Sequence, residues 1–144
     1  MFVVDTNILV YAADIDSEHH DVCRQRLEEW RSGAGAWYLT WGICYEFLRV
    51  ITHPAVLRHP WTATAASGFL EALFASPGLG VLRPTDRHAA VMREVIGLVP
   101  HARGNLIHDL HTVVLMREHG VGSIRTRDAQ FHRFEFVDVV DPVA

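Results

Sequence analysis

A chain of 144 residues is the size of one domain. Its apolar share of 49% and charged share of 21% exclude a disordered polymer. The 13 basic residues are all arginine and face 17 acidic ones; the formal net charge of −4 argues against a simple phosphate-binding surface.

In chain order, Phe2 to Val4 reads as a short buried strand ending at Asp5, and Ile8 to Ala13 as helix. Glu18 to Arg31 has helical spacing through Val22, Leu27 and Trp30 and stops at Gly33 and Gly35. Trp37 to Thr40 is a second strand. A helix follows from Thr40 or Trp41 to about Ile51, before Pro54. Thr62 caps a helix to about Phe74. Ser76 to Gly80 is a loop and Val81–Leu82 a third strand. Thr85 is expected to cap a helix to about Val99, and Asn105 a helix to His119 that Gly120 closes. Ser123 to Thr126 is a fourth strand, Asp128 caps a short helical turn, and Val137 to Val140 is a fifth strand. Strands alternating with helices predict an α/β fold: a parallel sheet with crossover helices on its faces, and an extra helical insert between the second and third strands.

Cys23 and Cys44 lie in apolar helical stretches without CxxC spacing and read as buried thiols. No apolar run reaches membrane-spanning length, and the N-terminus lacks the basic region of a signal peptide. A reducing cytosol is the expected compartment. The ten histidines include His19 and His20 near Cys23, and His108 and His111 around Asp109. Neither group has zinc spacing, so surface or interface roles are expected.

Four acids stand where acids are costly. Asp5 and Asp128 follow strands, and ligands of parallel sheets bind beyond the carboxyl ends of strands. Glu46 borders the apolar face of Ile43, Phe47 and Val50; Asp109 borders the stripe of Leu106, Leu110 and Val113. Each has a plain structural alternative. Asp5 and Asp128 would serve as helix caps, Glu46 would pair with Arg49 one turn on, and Asp109 would lie near Arg103 or Arg117. A parallel sheet can bring all four to one crevice. Carboxylates so gathered repel, and stay ionised together only around a cation. Oxygen ligands select Mg²⁺ or Mn²⁺, which would orient and activate a water against a phosphodiester.

With Val4-Asp5-Thr6-Asn7, Glu46, Asp109 and Thr126-Arg127-Asp128 followed by Phe131, the chain resembles the PIN-domain ribonucleases, specifically VapC-type toxins of toxin–antitoxin pairs. The resemblance covers nearly the whole chain. It implies a PIN-like three-layer sandwich, with a parallel sheet of about five strands flanked by helices. It implies Mg²⁺- or Mn²⁺-dependent endonucleolytic cleavage of RNA, with Asp5, Glu46, Asp109 and Asp128 as the metal-binding, catalytic quartet. Thr6, Asn7 and Thr126 match the polar residues that support the quartet. A VapB-like antitoxin and a homodimer are further implied partners. Many relatives carry another acid two residues after the last Asp; here that position is Gln130, so one strong metal site and at most one weak one are expected. Two alternatives stay open: a PIN nuclease of RNA processing, and a silent module that holds RNA or a partner without cutting, toward which Gln130 leans.

Arg125, Arg127 and Arg133 lie near the last acid in sequence, with Arg49 beside Glu46, and are expected to form a basic rim for RNA phosphates. Their alternative is ion pairing within the surface or with a partner. Trp61 is either an exposed partner contact or folded onto the core. Setting the four site acids aside leaves 13 acids against 13 arginines, so the excess equals the expected metal cage.

Overall fold

The computed structural model describes residues 1–144. Its eleven regular elements are β1 (Val3–Val4), α1 (Thr6–Ala13), α2 (His20–Ser32), β2 (Trp37–Thr40), α3 (Trp41–Ile51), α4 (Ala63–Phe74), β3 (Leu79–Leu82), α5 (His88–Leu98), α6 (Leu106–Glu118), β4 (Ser123–Arg125) and β5 (Asp138–Val140), with a 3-10 turn at Ala129–Arg133 before β5. The strands pair in the order β3-β2-β1-β4-β5, all parallel. From β1 the chain steps outward through β2 to β3, then returns to the other side of β1 for β4 and β5. Right-handed crossovers therefore put α1 to α4 on one face and α5 and α6 on the other. The strand order reverses between β1 and β4, the point where such sheets open a ligand crevice at their carboxyl ends.

The central strands can be short because they are buried on both faces. Val3, Val4, Leu39 and Ile124 are fully covered, and join one core of 31 residues with Ile8, Phe47, Val113 and Phe131. α1 packs on α2 and α3, and α5 on α6. Trp61 meets Phe69 edge-on at 5.7 Å, so it lies folded onto the core. Cys23 and Cys44 are buried free thiols. No helix is long and apolar enough to cross a membrane.

Several boundaries differ from the sequence reading. α2 starts at His20, after the turn at Ser17–His19, where the Ser17 hydroxyl accepts the His19 N–H. β3 starts at Leu79, two residues early, because Gly80 pairs with Tyr38 and lies beneath its ring; a Cβ there would stand 3.0 Å from Tyr38. Thr40 and Thr62 cap α3 and α4 as expected, accepting the N–H groups of Ile43 and Ala65. Thr85 does not cap α5, which begins at His88; its hydroxyl donates to buried Glu118 instead. Asn105 precedes α6 but makes no side-chain cap. Gly120, at φ +70°, turns the chain out of α6.

Candidate active site

Asp5 ends β1 and caps α1. Its Oδ1 accepts the Thr6 N–H at 2.8 Å. Its Oδ2 accepts the Thr126 hydroxyl at 2.7 Å and the Asn7 amide at 3.2 Å. The Asn7 amide also donates to Thr126 Oγ1 at 3.0 Å, and its Oδ1 accepts the Arg127 N–H at 3.3 Å. Thr126 Oγ1 in turn accepts the Asp128 N–H at 2.9 Å. Two strand ends far apart in sequence are thus fastened side by side, and Thr6, Asn7 and Thr126 all meet Asp5. Asp128 caps the 3-10 turn, its Oδ1 accepting the Gln130 N–H at 2.9 Å; Phe131 pins that turn by full burial.

α3 and α6 deliver the other two acids. α3 leaves the carboxyl end of β2 at once, and its Gly42 lies against the His111 ring of α6 (a Cβ there would stand 3.4 Å from Nδ1). Glu46 is held by Arg49: Nη2 meets Oε1 at 2.6 Å and Nε meets Oε2 at 3.0 Å. Both of its oxygens are occupied, and the pair lowers its pKa. The plain alternative for Glu46 is therefore present in the structure. That for Asp109 is not. Arg117 pairs with Glu94 at 2.6 Å, and no donor or basic side chain meets the Asp109 carboxylate.

The electrostatics follow from this placement. Burial, with the nearby charges of Asp5 and Asp128, raises Asp109 to about 7. Burial raises Asp5 to about 6 against the bonds from Thr126 and Thr6, with Asp128 and Glu46 adding repulsion. The four acids therefore share one field. As oriented, no three His, Cys, Asp or Glu side chains form a ready metal-binding group. Glu46 faces Arg49, and one Asp128 oxygen faces Gln130. The donor chemistry nonetheless fits a hard divalent cation. All the donors are carboxylate oxygens, two carry raised pKa values, and Asp109 has no other partner.

The expected arginine rim is largely absent. Arg125 lies 4.4 Å over the Phe2 ring and donates to Ser123 at 2.7 Å, which commits it away from a phosphate. Arg127 is braced between the His19 ring, at 2.9 Å, and Asp141, at 3.5 Å. Arg133 is exposed at the end of the 3-10 turn. The sequence reading missed His19 and Asp141 as the brace of the Thr126–Asp128 segment. The His19–Arg127 contact spans 108 positions, so no local pattern carries it.

Residues 2–137 match the PIN-domain family. The chain belongs to that family. It is 34% identical over 138 residues to ribonuclease VapC48 of Mycobacterium tuberculosis, covering 96% of this chain and 94% of that one. It is 33% identical over 144 residues to ribonuclease VapC37 of the same organism, covering 100% and 99%. Among solved structures, M. tuberculosis VapC20, a sarcin–ricin-loop-cleaving toxin, superposes with a TM-score of 0.67 at 20% identity, over 98% of this chain and 100% of that one. VapBC2 of Rickettsia felis, solved on a DNA fragment from its promoter, gives 0.67 at 15% identity, over 96% of each chain. These two likenesses establish the shared PIN fold.

Proposed function

We propose that this PIN-domain protein is a metal-dependent endoribonuclease and the toxin of a VapBC-type pair. The observation that carries the reading is Asp109: a carboxylate without a partner, raised to about 7 beside Asp5 and Asp128 at the reversal point of the sheet. Relatives named as VapC ribonucleases at 33–34% identity support RNA as the substrate. Solved VapBC and FitAB neighbours support an antitoxin partner. We place the protein in the cytoplasm, where its RNA is, as a homodimer.

Asp5, Asp109, Asp128 and Glu46 would hold one Mg²⁺ or Mn²⁺; Gln130, an amide in place of an acid, argues against a second tight site. A bound cation of this kind lowers the pKa of water and stabilises the leaving oxygen of a phosphodiester. The chain's own work is positional. Thr126 and Asn7 fix the Asp5 carboxylate where β1 joins α1. The test is cleavage of single-stranded RNA in Mn²⁺. Cutting that needs Mn²⁺ and disappears in Asp5→Asn is expected. RNA binding without cutting by the wild type would overturn the reading in favour of a silent module.

A further inference from the structure

Arg49 is the only arginine that contacts any of the four acids. Its fork donates to both oxygens of Glu46, so a metal that approaches this carboxylate competes with the guanidinium for its charge. The pair is solvent-facing, with side-chain exposures of 61% for Arg49 and 44% for Glu46, and such pairs open readily. Three residues along α3, the displaced guanidinium stays within about one helical turn of Glu46. Its planar donors match phosphate oxygens in the same way that they match a carboxylate. Of the other arginines near the acids, Arg125 is committed to Phe2 and Arg127 to His19 and Asp141, and Arg133, exposed at the end of the 3-10 turn, pairs with none of the four acids.

We propose that Arg49 is a resident stand-in cation on Glu46, which the metal displaces, and that the freed guanidinium then takes a phosphate of the RNA strand. The proposal rests on the metal-dependent ribonuclease reading and adds an order to it: metal first, then strand. By linkage, metal and RNA each strengthen the binding of the other through this one side chain. Arg49 is thus a substrate-binding residue in the metal-loaded protein and a competitor of the metal in the metal-free one.

The full chain, Arg49→Met and Arg49→Lys are compared in two binding measurements that need no turnover. Mn²⁺ affinity without RNA is read from the electron-paramagnetic-resonance signal of the free ion. Affinity for a fluorescein-labelled single-stranded RNA is read by anisotropy in chelator and again in Ca²⁺, a hard oxygen-seeking substitute. Arg49→Met should bind Mn²⁺ roughly threefold to fivefold tighter than wild type, the scale of releasing an exposed ion pair. The gain in RNA affinity on adding Ca²⁺ should shrink by a similar factor. Arg49→Lys, which keeps the charge but loses the fork, should fall between on both. Equal or weaker Mn²⁺ binding by a folded Arg49→Met overturns the competition. An undiminished RNA gain overturns the phosphate contact. A wild type that binds no Mn²⁺ is a different failure: it removes the metal-dependent reading itself, and this proposal with it.

Discussion

Asp109 lacks every partner that a half-buried carboxylate ordinarily finds. In the unfolded chain it loses its proton near 3.8, and in the fold near 7, because burial and the charges of Asp5 and Asp128 oppose ionisation. Between those values the folded protein holds a proton that the unfolded chain has released. Its contribution to stability therefore falls as pH rises from about 4 to about 7 and stays low above that. Asp109→Asn is neutral throughout. Without metal it should match wild type near pH 4 and melt a few degrees higher at pH 8, on the order of 1 kcal/mol once solvent screening is allowed for. Thermal melts in chelator at both pH values check this; equal melting at pH 8 would contradict it. Residues of this kind were legible in the sequence because a mid-helix Asp beside an apolar stripe breaks a local rule. The Glu46–Arg49 pair was legible too, lying three residues apart on one helix. The brace on Arg127 was not, since His19 and Asp141 come from distant segments.

At the scale of elements, the start of α5 shows where local signals stop. Thr85 has the chemistry of an N-cap, but Glu118, 33 residues on, takes its hydroxyl and its backbone N–H. Glu118 also meets the His88 ring at 2.7 Å, and its own carbonyl accepts from Arg87 at 2.9 Å. Burial alone would raise this side chain's pKa. The donations from Thr85 and His88 outweigh that and hold it below the usual carboxylate range. The end of α6 is thereby fastened to the turn that opens α5. Glu118→Ala would remove the buried acceptor that Thr85 and His88 share, and should cost about 1–2 kcal/mol in urea unfolding. A change under about 0.5 kcal/mol would mean that the cluster is solvated and replaceable. Thr40 and Thr62 behaved as their sequence neighbourhoods suggest because no distant group competes for them. β3 began early for the opposite reason, its first residues being recruited by Trp37 and Tyr38 across the sheet.

For the whole molecule, the order of the strands matters more than their length. Alternating apolar runs and helices made the parallel sheet legible, but not which strands would be neighbours. Only the pairing of β1 with both β2 and β4 places the reversal at Asp5. The 17 acids exceed the 13 arginines by the number of acids in the crevice. Without metal, an approaching phosphate backbone meets Asp5, Asp109 and Asp128 with no basic side chain paired to them. Affinity for single-stranded RNA should accordingly rise about tenfold when Ca²⁺ replaces chelator, beyond what the same ionic strength of Na⁺ produces. Equal affinities in the two conditions would place the RNA elsewhere on the surface.

The hydrogen bond from Thr126 to Asp5 closes a span of 121 residues. While the protein is being made, Asp5 therefore waits for a strand made 121 residues later to complete its surroundings. Asp109 and Asp128 also arrive late. A partly synthesised chain carries the first acid but not the arrangement that Thr126 and Asn7 complete around it. The order of the sheet, with its first strand in the middle and a later strand beside it, thus sets a clock on the site: Asp5 meets its partners only once β4 has been made.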